Sequence, residues 1–143
     1  MGNLQNLDYL ALNSNNLTCS IPPTIFNIST IKRITLAEQQ FSGHFPSTIG
    51  HSLPNMEGTT PNSITNASKL SVLDLSYNSF FGLILNTFGS LKFLGLLNLA
   101  YNYLTTESST GGLSFLPSLN SCRMLAFLGL GFNPLRGIPS TIN

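Results

Sequence analysis

The stretch that decides the fold is residues 70–104, which read LSVLDLSYNSFFGLILNTFGSLKFLGLLNLAYNYL. One apolar phrase with an Asn in register occurs in it twice, first as Leu70, Leu73, Leu75, Asn78 and Phe80 and then as Leu94, Leu97, Leu99, Asn102 and Leu104. The step is 24 residues, since 94 − 70 and 102 − 78 agree. A skeleton repeated at a fixed step of this size predicts a solenoid, in which each repeat forms one coil.

Related phrases run through the rest of the chain, starting at Leu4, Ile28 and Cys122. Two leucines that alternate with an outward residue indicate a short, half-buried strand, and stacked coils align these strands in a parallel sheet. A polar amide follows each strand and is predicted to pair with backbone groups inside the turn. This structural ladder consists of Asn15, Gln39, Asn78, Asn102 and Asn133, with Gln39 replacing the usual Asn.

Two places interrupt the repeat. Ile31 and Leu70 are 39 residues apart, nine short of two steps, which predicts a truncated third repeat and an irregular segment near residues 50–64. Leu94 and Leu125 are 31 apart, seven more than one step, which predicts an inserted loop near residues 105–116. We therefore expect a single domain over residues 1–143, uncapped at both ends, because both ends lie within repeats.

Composition excludes several classes of function. Charged residues are only 8% of the chain and the net charge is +1, without a basic run, so a nucleic-acid partner is not expected. No signal peptide and no membrane-spanning apolar segment is recognised. Cys19 and Cys122 fall in different repeats, so no disulfide is predicted, and both are interpreted as buried, small apolar residues.

Catalysis and metal binding find little support. His44 and His51 lack a Cys or carboxylate at ligand spacing, so no metal and no cofactor are predicted. Neither a nucleophile elbow nor a kinase signature occurs, and Gly111-Gly112 lacks the Lys of a phosphate loop. The expected function is therefore not enzymatic.

The candidate site is on the outward face of the predicted sheet. Tyr77, Tyr101 and Phe132 occupy one position in successive coils and predict an exposed aromatic column, which would suit a contact surface. The alternative is that these rings merely cover the sheet edge and pack on one another. Further outward residues proposed to contact a ligand are Arg33, Asp74, Asn98 and Phe127. Arg33 and Asp74 come from adjacent surviving strands and could instead pair with each other.

These phrases resemble the plant-type leucine-rich repeat, whose pattern is matched by Leu70, Leu73, Leu75, Asn78, Phe80, Gly82 and Ile84. Two stretches, residues 61–66 and 73–78, are similar to the ectodomains of plant leucine-rich-repeat receptor-like serine/threonine kinases. The resemblance implies an α/β solenoid: a right-handed coil of about five to six repeats, with parallel strands on the concave face and an irregular or 3₁₀ convex side.

The same resemblance implies recognition of a protein or peptide ligand, with a co-receptor as a possible further partner, on the outer side of the plasma membrane or in the cell wall. Sequons at Asn16, Asn27 and Asn66 are candidate N-glycosylation sites in that compartment. Two alternatives remain open: a secreted enzyme inhibitor of the polygalacturonase-inhibiting type, and a degenerate receptor fragment without a function of its own.

Overall fold

The strands of the computed structural model form two parallel sheets, and the structure describes residues 3–43, 67–84, 86–106, 113 and 115–135. The main sheet contains, in spatial order, β1 (Tyr9–Ala11), β3 (Arg33–Thr35), β5 (Val72–Asp74), β7 (Leu96–Asn98) and β9 (Phe127–Gly129). The second sheet contains β2 (Thr18–Cys19), β4 (Gln40–Gly43), β6 (Ser79–Leu83) and β8 (Tyr103–Thr105). Each described coil thus contributes one strand to the main sheet, as expected of a leucine-rich-repeat solenoid, and each of the first four also contributes a strand to the second sheet.

The main sheet has the alternation that the sequence predicts. Leu73 and Leu97 are in parallel register and both are fully buried. The residues that precede them, Val72 and Leu96, remain partly exposed. The leucines of successive coils therefore stack into one continuous core. In the outermost described coils Leu10 and Leu128 are only partly buried, because a neighbouring coil covers them on one side only.

A ladder of side-chain amides joins each coil to the one before it. Asn78 Nδ2 donates to the carbonyls of Leu75 and Ser76 in its own coil, at 3.2 and 3.0 Å, and to that of Leu36 in the preceding coil, at 2.9 Å. Its Oδ1 accepts from the Phe41 amide at 3.2 Å. The amide thus satisfies backbone groups that the turn would otherwise bury unpaired.

Gln39 performs the same task as the asparagines. Its Nε2 donates to the Leu12 and Ala37 carbonyls at 2.6 and 3.1 Å, and its Oε1 accepts from the Leu17 amide at 2.9 Å. The longer side chain is therefore accommodated without a change of role. Asn15 bonds the carbonyls of Leu12 and Asn13, both at 2.9 Å and both in its own coil.

Short helices form the side of the coil opposite the main sheet. They are the 3₁₀ helices Pro23–Asn27 and Asn86–Ser90 and the α-helix Leu116–Leu119. Pro stands in the first turn of the first and last of these, where its missing N–H leaves no hydrogen bond unmade. Phe26, Phe88 and Phe115 are buried beneath this side of the coil. The prediction of short helical turns is confirmed.

The shortened third repeat leaves the main sheet continuous. β3 pairs directly with β5, with Ile34 opposite Leu73, although the sequence step between these coils is 39 residues. Arg33 and Asp74 accordingly come from adjacent strands, as predicted. The predicted irregular segment near residues 50–64, the sequon at Asn66, and His44 and His51 all lie outside the described residues. The same holds for residues 107–112 of the predicted insertion.

The second sheet was not expected from the sequence. The repeat phrase predicts one strand per coil, yet the segment after four of the ladder amides forms a further strand, such as Ser79–Leu83. Gly43 and Gly82 end or interrupt these strands with φ of +100° and +89°, which side-chain-bearing residues rarely adopt. The glycines of the repeat therefore shape the second sheet rather than simply ending the coil.

One sequence-based interpretation is wrong. Cys19 is exposed, whereas Cys122 is buried as predicted. Cys19 is paired with Phe41 on β4, but it belongs to the first described coil of the second sheet, so none of the described coils covers its other side. Position in the stack, which the repeat pattern does not report, decides its exposure.

Candidate functional site

An unusual backbone conformation recurs just after each strand of the main sheet. The residue at this position has positive φ in every described coil: Ser14 (+59°), Glu38 (+57°), Tyr77 (+53°), Tyr101 (+56°) and Phe132 (+56°). Non-glycine residues rarely adopt this left-handed region, because Cβ then crowds the backbone, and aromatic residues are especially uncommon there. The turn places each of these side chains at the rim of the main sheet.

The three aromatic rings form one stacked column. The Tyr77 and Tyr101 ring centroids are 4.0 Å apart with an interplanar angle of 11°, and those of Tyr101 and Phe132 are 4.1 Å apart at 12°. The column remains accessible, since the exposed fractions of Tyr77, Tyr101 and Phe132 are 49%, 37% and 74%. The rings thus pack on one another, as the alternative interpretation requires, and still present a solvent-exposed surface.

Neighbouring groups at the rim affect the pKa of Tyr77. A hydrogen bond with Tyr101 raises the pKa of Tyr77, and desolvation, the negative charge of a Tyr101 phenolate and that of Glu38 act in the same direction. Glu38 is itself held by a hydrogen bond from the Ser14 hydroxyl at 2.6 Å. The residues at the rim of the main sheet therefore interact with their counterparts in neighbouring coils.

A groove runs between the column and the second sheet. Its volume is about 220 Å³ and its lining residues are Asn78, Tyr101, Asn102, Tyr103 and Phe132. Tyr103, on β8, is 62% exposed and lines the groove from the second sheet. Sequence reasoning missed Tyr103 because it missed the second sheet. The alternation of Tyr103, Leu104 and Thr105 is the signal that could have predicted it.

The other predicted contact residues lie in two rows across the main sheet. Arg33 is in register with Val72, and Phe127 with Leu96, so Arg33 and Phe127 belong to the row at the start of the strands. Asp74 and Asn98 are in register with each other one row closer to the turn. The sheet therefore brings all four to one face, with Asp74 and Asn98 nearest the aromatic column.

Asp74 and Asn98 also have local structural roles. Asp74 Oδ1 accepts hydrogen bonds from the backbone N–H and hydroxyl of Ser76, at 3.0 and 2.7 Å, and Asn98 Oδ1 accepts from the Ala100 amide at 3.3 Å. Asn98 also leans over Gly129, where a Cβ would overlap its side-chain oxygen. Both side chains thus help to fix the turn that carries the column.

Arg33 and Asp74 do not pair with each other. Arg33 is opposite Val72 in the register, whereas Asp74 is opposite Thr35, so the two charged groups are offset along the strands. In the described part of the chain the ion pair within 4.0 Å joins Lys32 Nζ to Asp8 Oδ2, at 3.5 Å. Both partners are more than half exposed, so this pair contributes at most about 1 kcal/mol.

Neither a metal-ligand cluster nor a membrane-spanning helix occurs in the described residues. Among them, no group of three or more His, Cys, Asp or Glu side chains could hold a metal ion. Likewise, none of the helices within these ranges is long and apolar enough to cross a membrane. Asn16 and Asn27, which begin two of the predicted glycosylation sequons, are both exposed.

Comparison with known proteins agrees with this geometry. The family model described as Leucine Rich Repeat matches residues 6–28 and 69–91. Receptor like protein 24 of Arabidopsis thaliana is 38% identical over 104 residues, which cover 71% of this chain and 11% of that protein. The chain thus spans about a tenth of the length of this relative.

Two solved ectodomains of Arabidopsis thaliana receptor kinases have the same architecture. The leucine-rich-repeat ectodomain of SOBIR1 is 32% identical, with a TM-score of 0.68 over 93% of this chain and 60% of that one. The ectodomain of GASSHO1/SCHENGEN3, solved in complex with CASPARIAN STRIP INTEGRITY FACTOR 2, is 26% identical, with a TM-score of 0.68 over 94% of this chain and 13% of that one.

The chain therefore has the leucine-rich-repeat fold, with one strand per coil in the main sheet and an amide ladder behind it. Within this class it is similar to the ectodomains of plant membrane receptor kinases and to receptor like protein 24. The resemblance predicted from the repeat phrase is confirmed.

Proposed function

We propose that the chain is a non-catalytic recognition module that binds a protein or peptide segment in the groove beside Tyr101, Tyr103 and Phe132. The single observation that carries the proposal is the stacked column itself. Three successive coils hold exposed aromatic rings at a left-handed backbone position. Exposed aromatic clusters beside a concave surface are typical of binding sites.

The backbone conformation strengthens this interpretation. A left-handed conformation costs a side-chain-bearing residue roughly 1–2 kcal/mol, and glycine would avoid most of that cost. Stacking offsets part of the strain, yet it leaves Phe132 the most exposed large apolar residue described. Strained residues that are kept exposed are a reason to infer function.

The arrangement suits binding because the rings are already ordered. Stacking restricts the Tyr101 ring before any ligand arrives, so binding loses little side-chain entropy there. The tyrosine hydroxyls can hydrogen-bond a peptide backbone while the rings contact its apolar side chains. The outward residues Arg33, Asp74, Asn98 and Phe127 would extend the contact across the main sheet.

The relatives support a ligand of this class. The GASSHO1/SCHENGEN3 ectodomain was solved in complex with CASPARIAN STRIP INTEGRITY FACTOR 2. By analogy, this chain would act outside the cell, with a protein or peptide ligand and a co-receptor as partners. The exposed Asn16 and Asn27 would then be glycosylated in the secretory pathway.

Selection from a random peptide library displayed on phage, with the full chain immobilised, tests the proposal. The peptides recovered should bind the full chain and lose affinity by about tenfold or more for Tyr101→Ser and for Phe132→Ser, as expected of aromatic hot spots. Tyr9→Ser is the matched control, since Tyr9 is an exposed aromatic residue (49%) on β1 and does not line this groove. Peptides that bind all three variants equally would overturn the proposal.

A further inference from the structure

Cationic side chains are concentrated at the opposite rim of the main sheet, where its strands begin. Lys32, Lys69, Lys92 and Arg123, four of the six Lys and Arg residues in the chain, lie in the segments just before β3, β5, β7 and β9. All four are exposed. We refer to this rim as the basic edge. It shares no residue with the groove beside the aromatic column.

The basic edge also carries two exposed apolar side chains. Phe93 and Met124 are 56% and 62% exposed, and they occupy the equivalent position in successive coils, directly before the buried Leu94 and the partly buried Leu125 of the repeat. Lys69 occupies that position one coil earlier. The repeat thus aligns a lysine, a phenylalanine and a methionine in one column.

These side chains surround a groove of about 250 Å³, lined by Lys32, Lys69, Ser71, Phe93 and Met124. Backbone hydrogen bonds of 2.8 Å continue the strand pairing beneath it, from the Ser71 amide to the Lys32 carbonyl and from the Gly95 amide to the Ser71 carbonyl. Ser71 and Gly95 are small, so they leave space above the backbone. The longer side chains of Lys69, Phe93 and Met124 enclose this space. The groove therefore lies on hydrogen-bonded backbone of the main sheet.

Negative charge in the described residues does not neutralise this edge. Asp8 lies on it and pairs with Lys32 at 3.5 Å. Glu38 and Asp74 lie at or near the other ends of the strands. Lys69, Lys92 and Arg123 therefore remain in excess around two exposed apolar side chains, which favours a partner that offers carboxylates and an apolar group together.

We propose that the basic edge is a second docking surface, which binds an acidic peptide segment carrying an aromatic or aliphatic side chain. The apolar side chain enters the groove between Phe93 and Met124, where the thioether and the ring both favour aromatic contact. A flanking carboxylate pairs with Lys69, which lines the groove. This inference goes beyond the function proposed above, because it uses a different rim and a different ligand chemistry.

The test uses the full chain and a fluorescein-labelled peptide in which Asp residues alternate with Phe and Leu. Fluorescence anisotropy should show saturable binding that weakens as salt is added. A peptide with Lys in place of Asp should not bind. Phe93→Ser and Lys69→Gln should each weaken the Kd by about fivefold to tenfold.

Two control variants sit elsewhere on the surface. Tyr9→Ser removes an exposed aromatic ring from β1, and Gln40→Glu lowers the net charge by the same amount as Lys69→Gln. Both should leave the Kd within about twofold, because neither side chain touches the groove. Circular dichroism of all four variants should match that of the parent chain, since every substituted side chain is exposed.

Three results would overturn the proposal. One is the absence of binding by the acidic peptide, and another is an equal loss of affinity in the test and control variants. The third is retention of the chain by vesicles of phosphatidylserine and phosphatidylcholine without any binding of the peptide, which would assign the edge to an anionic membrane. None of these results bears on Tyr101 or Phe132, so the function proposed above would fail or stand separately.

Discussion

Asn102 donates a hydrogen bond from Nδ2 to the carbonyl of Leu75 in the preceding coil, at 2.9 Å. The same nitrogen donates to the carbonyls of Leu99 and Ala100 in its own coil, and Oδ1 accepts from the Phe80 amide at 3.0 Å. Asn78 reaches the Leu75 carbonyl as well, at 3.2 Å. Neighbouring ladder amides therefore converge on one carbonyl, and the stack depends on them.

Replacing Asn102 tests this dependence. Asn102→Ala removes a buried acceptor and a buried donor at once, so the free energy of unfolding should fall by about 2 kcal/mol or more. Asn15→Ala is the matched control and should cost less than about 1 kcal/mol, because the Asn15 side chain is exposed and bonds only its own coil. Urea unfolding followed by circular dichroism measures both. Equal losses in the two variants would contradict the role given to the ladder.

Gly89 tests how closely the short helices pack. A Cβ at Gly89 would overlap the backbone carbonyl of Ser118 in the next coil, whereas a Cβ at Gly131 would meet nothing within 4 Å. Gly89→Ala should therefore lower the free energy of unfolding by about 1–3 kcal/mol, because backbone must move to relieve the overlap. Gly131→Ala, the control, should change it by less than about 0.5 kcal/mol. Thermal unfolding measures both variants. Equal unfolding midpoints would contradict the close packing of Gly89 against Ser118.

The aromatic column predicts a late tyrosine titration. The hydrogen bond with Tyr101 raises the pKa of Tyr77 above its ordinary value near 10. Tyr77→Phe should remove the component of the tyrosinate absorbance that appears last, and Tyr9→Phe should retain it. Tyr101→Phe should shift that component to lower pH. Retention of the late component in Tyr77→Phe would show that it belongs to another group.

The direction of the Tyr77 pKa shift decides how the stability of the folded chain changes with pH. Because folding raises the pKa of Tyr77, its contribution to stability is complete below the unfolded value near pH 10 and is lost as pH rises through the folded value. The unfolding midpoint should therefore fall more steeply with pH in this range for the parent chain than for Tyr77→Phe. Parallel curves would contradict the coupling.

The two cysteines should differ in reactivity. Cys19 is exposed, whereas Cys122 is buried, with its thiol 3.3 Å from the Phe88 carbonyl, and burial raises the pKa of the Cys122 thiol. Iodoacetamide should therefore modify Cys19 in the folded chain and Cys122 only after denaturation, because the thiolate is the reactive form. Mass spectrometry of tryptic peptides identifies the modified residue. Modification of Cys122 under native conditions would contradict this prediction, since it would require the coil that buries Cys122 to unfold locally.

The repeat phrase predicts most of the fold because each of its positions has one physical task. Leu73 and Leu97 are buried by alternation, and Gln39 replaces Asn because an amide of either length reaches the same carbonyls. Pairing of β3 with β5 across a shortened repeat also follows from the spacing. These features depend on the local pattern of apolar and amide residues and on its spacing, both of which can be read from the sequence.

The remaining features depend on how coils stack. Cys19 is exposed because its coil is covered on one side, and Tyr103 faces the groove because a second sheet forms behind the ladder. The left-handed conformation of Tyr77, Tyr101 and Phe132 carries no composition signal, since glycine or Asn would be expected there. Arg33 and Asp74 look like a pair in sequence, yet the register offsets them.

The most direct test of the recognition site is to map where a selected peptide binds. The chain would be labelled with ¹³C in its Tyr and Phe rings and titrated with a peptide recovered from the phage library, with ring resonances followed by NMR. We predict that the resonances of Tyr101, Tyr103 and Phe132 shift with a common Kd while that of Tyr9 does not. Shifts at Tyr9 without any at the column would contradict the account.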